Sequence, residues 1–245
     1  MNATTTTLIQ ALGSPEGSDR REAALAMGAA SDPSVVPALL DRIRVEENSC
    51  VREDLTWAIV QHAQTAGPVL LEMVGSDDPG ERRTAAHVIS KLGDSLHFEA
   101  VSRLVADEDP DVAIKAYRAA ANTGGASAVD LLATRLGDGD LHQRDALTNA
   151  FHSLGDASVP ALISALSSRD AEVREHAAES LGHLGEEAAS AVAQLEEAAA
   201  DAEPVVRLAA VAALGQLGES SEAGLRRLVD GGDPLVAKVA KAYLG

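Results

Sequence analysis

The chain repeats itself, and that constrains its fold more than any other feature. Aligning AEVREHAAESLGHLG from Ala171 with EPVVRLAAVAALGQLG from Glu203 on Arg174 and Arg207 sets a register that extends to Arg144, Arg82, Arg52 and Arg20. Ala113 and Ala237 fill the same slot without a guanidinium. The anchors recur about every 31 residues, and a period between roughly 20 and 50 residues restricts a chain to stacked units that bury their apolar faces only against neighbours.

A second column supports the register. Four residues before the anchors stand Glu16, Asn48, Asp78, Asp109, Asp140, Asp170, Glu203 and Asp233. Short acids and asparagine accept the orphan amides of a first helical turn, and Pro79, Pro110, Pro204 and Pro234 follow at the first helical position. Leucine-glycine pairs such as Leu181-Gly182 and Leu214-Gly215 lie seven and eight residues after the anchors, and Gly93, Gly124, Gly155, Gly185 and Gly218 mark the helix ends. Shorter amphipathic runs such as VVPALLDRI and VPALISAL fall between them. The composition agrees: 46% of residues are hydrophobic but only 2% aromatic, and alanine, the best helix former, is the commonest residue. The prediction is an all-α protein, an α-α superhelix of about eight helical hairpins at residues 3–30, 33–63, 67–93, 95–123, 126–154, 157–184, 187–217 and 220–245, forming one solenoid domain over 1–245.

These acid-Pro-x-Val-Arg-x-x-Ala-Ala-x-x-Leu-Gly and VPALIxAL segments resemble the HEAT-repeat family, and within it the short-repeat group related to phycobilin lyases. The resemblance covers essentially the whole chain and implies a ladder of acids and arginines between neighbouring hairpins. Its rungs would be Arg20, Arg52, Arg82, Arg144, Arg174 and Arg207 with Asp78, Asp109, Asp140, Asp170 and Asp233, weakened at Ala113 and Ala237. It also implies that partners bind on a concave face lined by the second helix of each hairpin.

Candidate binding residues follow from the register. Two residues after the anchors stand Asp54, Thr84, Lys115 and His176, and five after stand Trp57, His87, Arg118, Asn149 and Glu179. Eight to nine after come Gln61, Lys91, Asn122, His152 and His183. In a chain of net charge −18, Lys91, Lys115, Arg118 and His87 gather with the only tryptophan on hairpins two to four. This island, extended by Asn122, Asn149 and His152, is expected to hold an acidic or extended segment of a protein partner, with Trp57 as apolar anchor. The leading expectation is a non-catalytic scaffold; a lyase-like enzyme acting on a tetrapyrrole or a protein side chain is the alternative.

No catalytic, cofactor or metal residues are assigned. The di-iron hydroxylases of the same broad fold use repeated His-Glu pairs, whereas Glu175-His176 is the one adjacent pair of these residues here, in reverse order. Neither a phosphate-binding GxxxxGK[ST] loop nor a GxSxG nucleophile motif appears. Lone Cys50 gives no internal disulfide and no cysteine zinc site, and reads as a small packed residue.

The acidity argues against nucleic acid and anionic membrane partners, and no run reaches the roughly 20 apolar residues that span a bilayer. A cytoplasmic protein is expected, without a targeting segment. Excess carboxylate with lysine only at Lys91, Lys115, Lys238 and Lys241 resembles adaptation to a salt-loaded cytoplasm. Oligomeric state stays open, because the end hairpins, with Thr4 to Thr7 and Tyr243, would either cap the stack or pair with another copy.

Overall fold

A computed structural model describes residues 3–30 and 32–245. It divides into two compact units, Met1–Thr123 and Gly124–Gly245. In the first, α1 (Ala3–Ala11) pairs with α2 (Gly17–Ala29), α3 (Val36–Val45) with α4 (Ser49–Gln61), α5 (Ala63–Val74) with α6 (Pro79–Leu92), and α7 (Phe98–Ser102) with α8 (Pro110–Gly124). In the second, α9 (Val129–Ala133) pairs with α10 (Leu141–Leu154), α11 (Val159–Ala165) with α12 (Ala171–Leu184), α13 (Val192–Ala198) with α14 (Pro204–Gln216), and α15 (Glu222–Val229) with α16 (Pro234–Leu244). The described residues are all-α, with short 3-10 turns leading into several first helices.

The second helices begin where the acid column places them. Asn48 accepts from the Cys50 and Val51 amides, Asp78 from Gly80, Asp109 from Asp111 and Val112, Asp170 from Glu172, and Asp233 from Leu235 and Val236. Asp140 forms a reciprocal capping box with Gln143. Glu16 and Glu203 hold the same backbone position but make no side-chain cap, their carboxylates being carried one methylene further from the backbone.

Within each unit the second helices pack on one another through small residues. Ala24, Ala58, Ala86, Ala120, Ala178 and Ala210 are buried, and Tyr117 and Phe151 are among the largest fully buried side chains. Three glycines eight residues after an anchor lie inside helices rather than ending them. A Cβ on Gly182 would sit 2.8 Å from the Ala213 Cα; on Gly28, 2.8 Å from the Ala58 Cα and 2.4 Å from the Trp57 ring; on Gly215, 2.3 Å from the Tyr243 ring. The leucine-glycine pairs therefore mark close helix approach, while positive-φ Gly93, Gly155, Gly185 and Gly218 turn the chain. At the middle junction the left-handed residue is Gly125, not Gly124.

The arginine ladder exists with its acids displaced. Arg20 binds Glu46 through Nε at 2.7 Å and Nη2 at 2.9 Å, Arg82 binds Asp107 at the same two distances, and Arg174 binds Asp201 likewise. Each acid lies two residues before the next N-cap. Asp78, Asp109, Asp140 and Asp170 are thus corrected as rungs, because their oxygens are aimed at first-turn amides; only Asp233 both caps and meets an arginine, Arg207, at 2.9 Å. The third guanidinium nitrogen, Nη1, ties each arginine to its own interhelix loop, as in Arg20 to the Ser14 and Pro15 carbonyls and Arg174 to the Ser168 carbonyl. The displaced acid also accepts the N-cap amide: Asn48 N donates to Glu46, Asp109 N to Asp107 and Glu203 N to Asp201.

Besides Arg207, whose acid slot holds Gly231, two arginines depart from this pattern. Ser76 and Ser168 occupy the acid's place in the hairpins after Arg52 and Arg144, and their hydroxyls still accept the Asp78 and Asp170 amides. A serine offers no carboxylate. Arg52 turns instead to the Ile43 and Glu46 carbonyls and the Thr84 hydroxyl, and Arg144 to Glu175 and Glu179, each at 3.2 Å.

Candidate partner-binding face

The exposed stripe of each second helix runs through positions one, five and nine after the anchor, spaced by four residues along one helical row. The position-two column points toward the preceding hairpin, where Lys115 still reaches the hollow described below. Thr84 and His176 are buried, and Asp54 reaches back to Arg21 at 2.5 Å. In α6 the stripe is Arg83, His87 and Lys91; in α4 it is Glu53, Trp57 and Gln61; in α8 it is Ile114, Arg118 and Asn122.

In the first unit these rows enclose a cavity of about 200 Å³ bounded by Ser49, Arg52, Glu53, Arg83, His87 and Lys115. Glu53 receives His87 Nε2 at 3.0 Å and stands 3.8 Å from Lys91 Nζ. The His87 side chain is only 19% exposed; burial lowers its pKa, Lys115 and Lys91 lower it further, and Glu53 opposes them. Arg52 is held below the usual arginine range, first by burial and then by the charge of Arg83. Arg83 meets Asp111 at 3.4 Å. The lining thus holds three cations, Arg52, Arg83 and Lys115, against the one carboxylate Glu53, with Lys91 and Asp111 just outside it.

Trp57 lies beside it on α4, 42% exposed, its ring laid over Gly28. Arg118 is exposed on α8 and makes no ion pair among the described residues. Asn122 is exposed too, but its amide donates to the Ser90 carbonyl at 2.8 Å, so it fastens α8 to α6. The structure therefore gathers His87, Lys91 and Lys115 around Glu53, with Trp57, Arg118 and Asn122 on the same helices. Asn149 and His152 belong to the second unit. Asn149 donates to the Asp145 carbonyl, and the His152 ring meets the His183 ring edge-to-face at 5.5 Å.

Sequence reasoning missed Arg83, Glu53 and Ser49 and gave Arg52 to the ladder. The signal was present: Arg83, His87 and Lys91 stand four apart and make a cationic helical row. Cys50 is exposed in the first turn of α4 rather than packed. Among the described residues no three or more histidine, cysteine or carboxylate side chains converge as metal ligands, and no helix is long and apolar enough to cross a membrane.

Comparisons with known proteins follow the repeat. The model for HEAT repeats matches residues 67–151, 143–215 and 159–245, and that for the PBS lyase HEAT-like repeat matches 19–43. No match to a curated protein was found. Similar solved structures include the complex of CpcE and CpcF of phycocyanin lyase from Nostoc sp. PCC7120, at 19% identity and a TM-score of 0.45, covering 99% of this chain and 96% of that one. Human deoxyhypusine hydroxylase in complex with glycerol is similar at 20% identity and a TM-score of 0.43, covering 98% and 94%. An engineered protein is similar at 20% identity and a TM-score of 0.41, covering 98% and 77%.

Proposed function

The chain belongs to the HEAT-repeat family, and from that premise we propose that it is a non-catalytic scaffold whose first unit holds an acidic, extended segment of a cytoplasmic protein partner. The observation that carries this reading is the convergence of Arg52, Arg83 and Lys115 on one hollow, with Lys91 beside its Glu53, in a chain of net charge −18. Exposed ion pairs are worth only about 0.2–1 kcal/mol each, so charge alone gives weak binding and a fast on-rate. The tryptophan changes the sum. Covering the exposed part of Trp57, on the order of 100 Å², adds about 2.5 kcal/mol. Lys91, Lys115 and Arg118 then pair with carboxylates along the segment, and neutral His87 keeps Glu53 in place as a hydrogen-bond donor. The reading needs no cofactor.

The test is a fluorescence anisotropy titration with a labelled peptide of alternating aspartate or glutamate and leucine. Affinity should fall at least tenfold in Lys91→Glu plus Arg118→Glu and several-fold in Trp57→Ala, and weaken with salt. Binding unchanged by the double substitution would remove the proposal.

A further inference from the structure

The second unit carries a separate groove of opposite polarity. It has a volume of about 880 Å³ and crosses α10, α12 and α14. Its apolar surface comes from Leu141 at the start of α10 and Val205, Leu208 and Ala212 on α14; Leu141 is 70% and Val205 49% exposed. Leu141 and Val205 stand in first turns, where a chain ordinarily places polar residues, and Leu208 and Ala212 continue the apolar face along α14. Between them lie Asp145, Glu175 and Glu179, set against one cation, Arg144, which is shared by Glu175 and Glu179 at 3.2 Å each. Burial, with smaller contributions from Glu175 and Asp145, raises the Glu179 pKa against the pull of Arg144.

From this geometry we infer that the groove binds an amphipathic partner segment that places a lysine or arginine against Glu179 and Asp145 and aliphatic side chains on Leu208 and Val205. Three adjacent helices at about 8–10 Å spacing give a track of roughly 20 Å, the length of about six extended residues or a helix of about thirteen. Charge complementarity selects the occupant. An acidic segment would meet three carboxylates, and an uncharged one would leave them without added cations in a partly dry site. A guanidinium satisfies two oxygens at once, so arginine is favoured over lysine. The inference is independent of the cationic hollow in the first unit.

The experiment is a titration with a labelled sixteen-residue peptide carrying leucine at helical spacing and two arginines, compared with its Arg→Glu version. Binding of the arginine peptide should be at least tenfold tighter, should weaken with salt, and should fall tenfold or more in Asp145→Asn plus Glu179→Gln. It should persist in Lys91→Glu plus Arg118→Glu, which separates it from the site on α4, α6 and α8. Leu208→Asp, with circular dichroism to confirm the fold, should abolish it; if that variant unfolds, Val205→Asp at the exposed rim serves instead. Equal binding of the two peptides, or binding indifferent to the groove substitutions, would overturn the inference. So would a dimer in sedimentation that the same substitutions dissolve, since the occupant would then be a second copy of this chain.

Discussion

Glu46 offers the most demanding test of how the hairpins are joined. Its carboxylate is 1% exposed and accepts from Arg20 Nε and Nη2, from Arg42 Nε and Nη2, and from the Asn48 amide, all at 2.7–3.0 Å. The hydrogen bond from Arg20 leads in lowering its pKa from 4.5 to about 2, against burial. That difference corresponds to about 3 kcal/mol of stability. The sign follows from linkage: the group is more acidic when folded, so its contribution is fully present above pH 4.5 and is lost as pH falls toward about 2. Breaking a buried pair by deleting one partner costs about 3–5 kcal/mol, and Arg20 keeps its Ser14 and Pro15 carbonyls, which places Glu46→Gln at the lower end. Urea denaturation followed by circular dichroism at a series of pH values should show the variant about 3 kcal/mol less stable near neutrality, the gap closing toward about pH 2. A constant gap across the range would refute the reasoning, because the loss would then owe nothing to the charge.

Other outcomes follow from the packing. Gly182→Ala should lower stability by about 1 kcal/mol, since overpacking against the Ala213 backbone outweighs the helix propensity gained. Gly17→Ala, in ordinary contact with its surroundings, should raise it by about 0.5 kcal/mol; thermal melts giving both the same sign would discredit the close-approach account. Buried His176 accepts from the Gly137 amide through Nδ1 and donates through Nε2 to the Arg144 carbonyl, and burial brings its pKa down to about 4. Its ring should titrate near that value by NMR, and stability should decline as pH falls from 6.5 toward 4; titration near 6.5 would show that the ring is not held as described.

The fold was legible because its signals are local. An N-cap acts over three residues and an amphipathic run over a dozen, so Asp78, Asp170 and Asp233 could be placed from neighbouring letters alone. The ladder was only half legible. Its acids, Glu46, Asp107 and Asp201, belong to the next hairpin, and the column they occupy is broken by serine and glycine, whereas the N-cap column is nearly unbroken and drew the assignment. Columns five and nine of the second helices lie on the exposed stripe, but the third was misread by one position. Residues three and four before position five sit about 100° apart around a helix, and choosing position two led to buried Thr84 and His176, though also to Lys115, and away from Arg83. The opposite polarities of the two hollows depend on which rows meet across helices, which no single helix displays.

Ser76 and Ser168 have a consequence beyond the joints they occupy. By meeting the N-cap amide without engaging the preceding arginine, each serine relieves a recurring piece of the repeat's machinery of its ordinary duty. Arg52 and Arg144, thus discharged, are the two anchor arginines that line the hollows on the second-helix faces. A repeat chain differentiates its surface in this way without inventing new positions: an omission in one hairpin becomes a recognition element in the one before. Restoring aspartate at residue 168 would recruit Arg144 back to its joint and leave the groove of the second unit more acidic, so the polarity of that surface is set by a residue that never touches it.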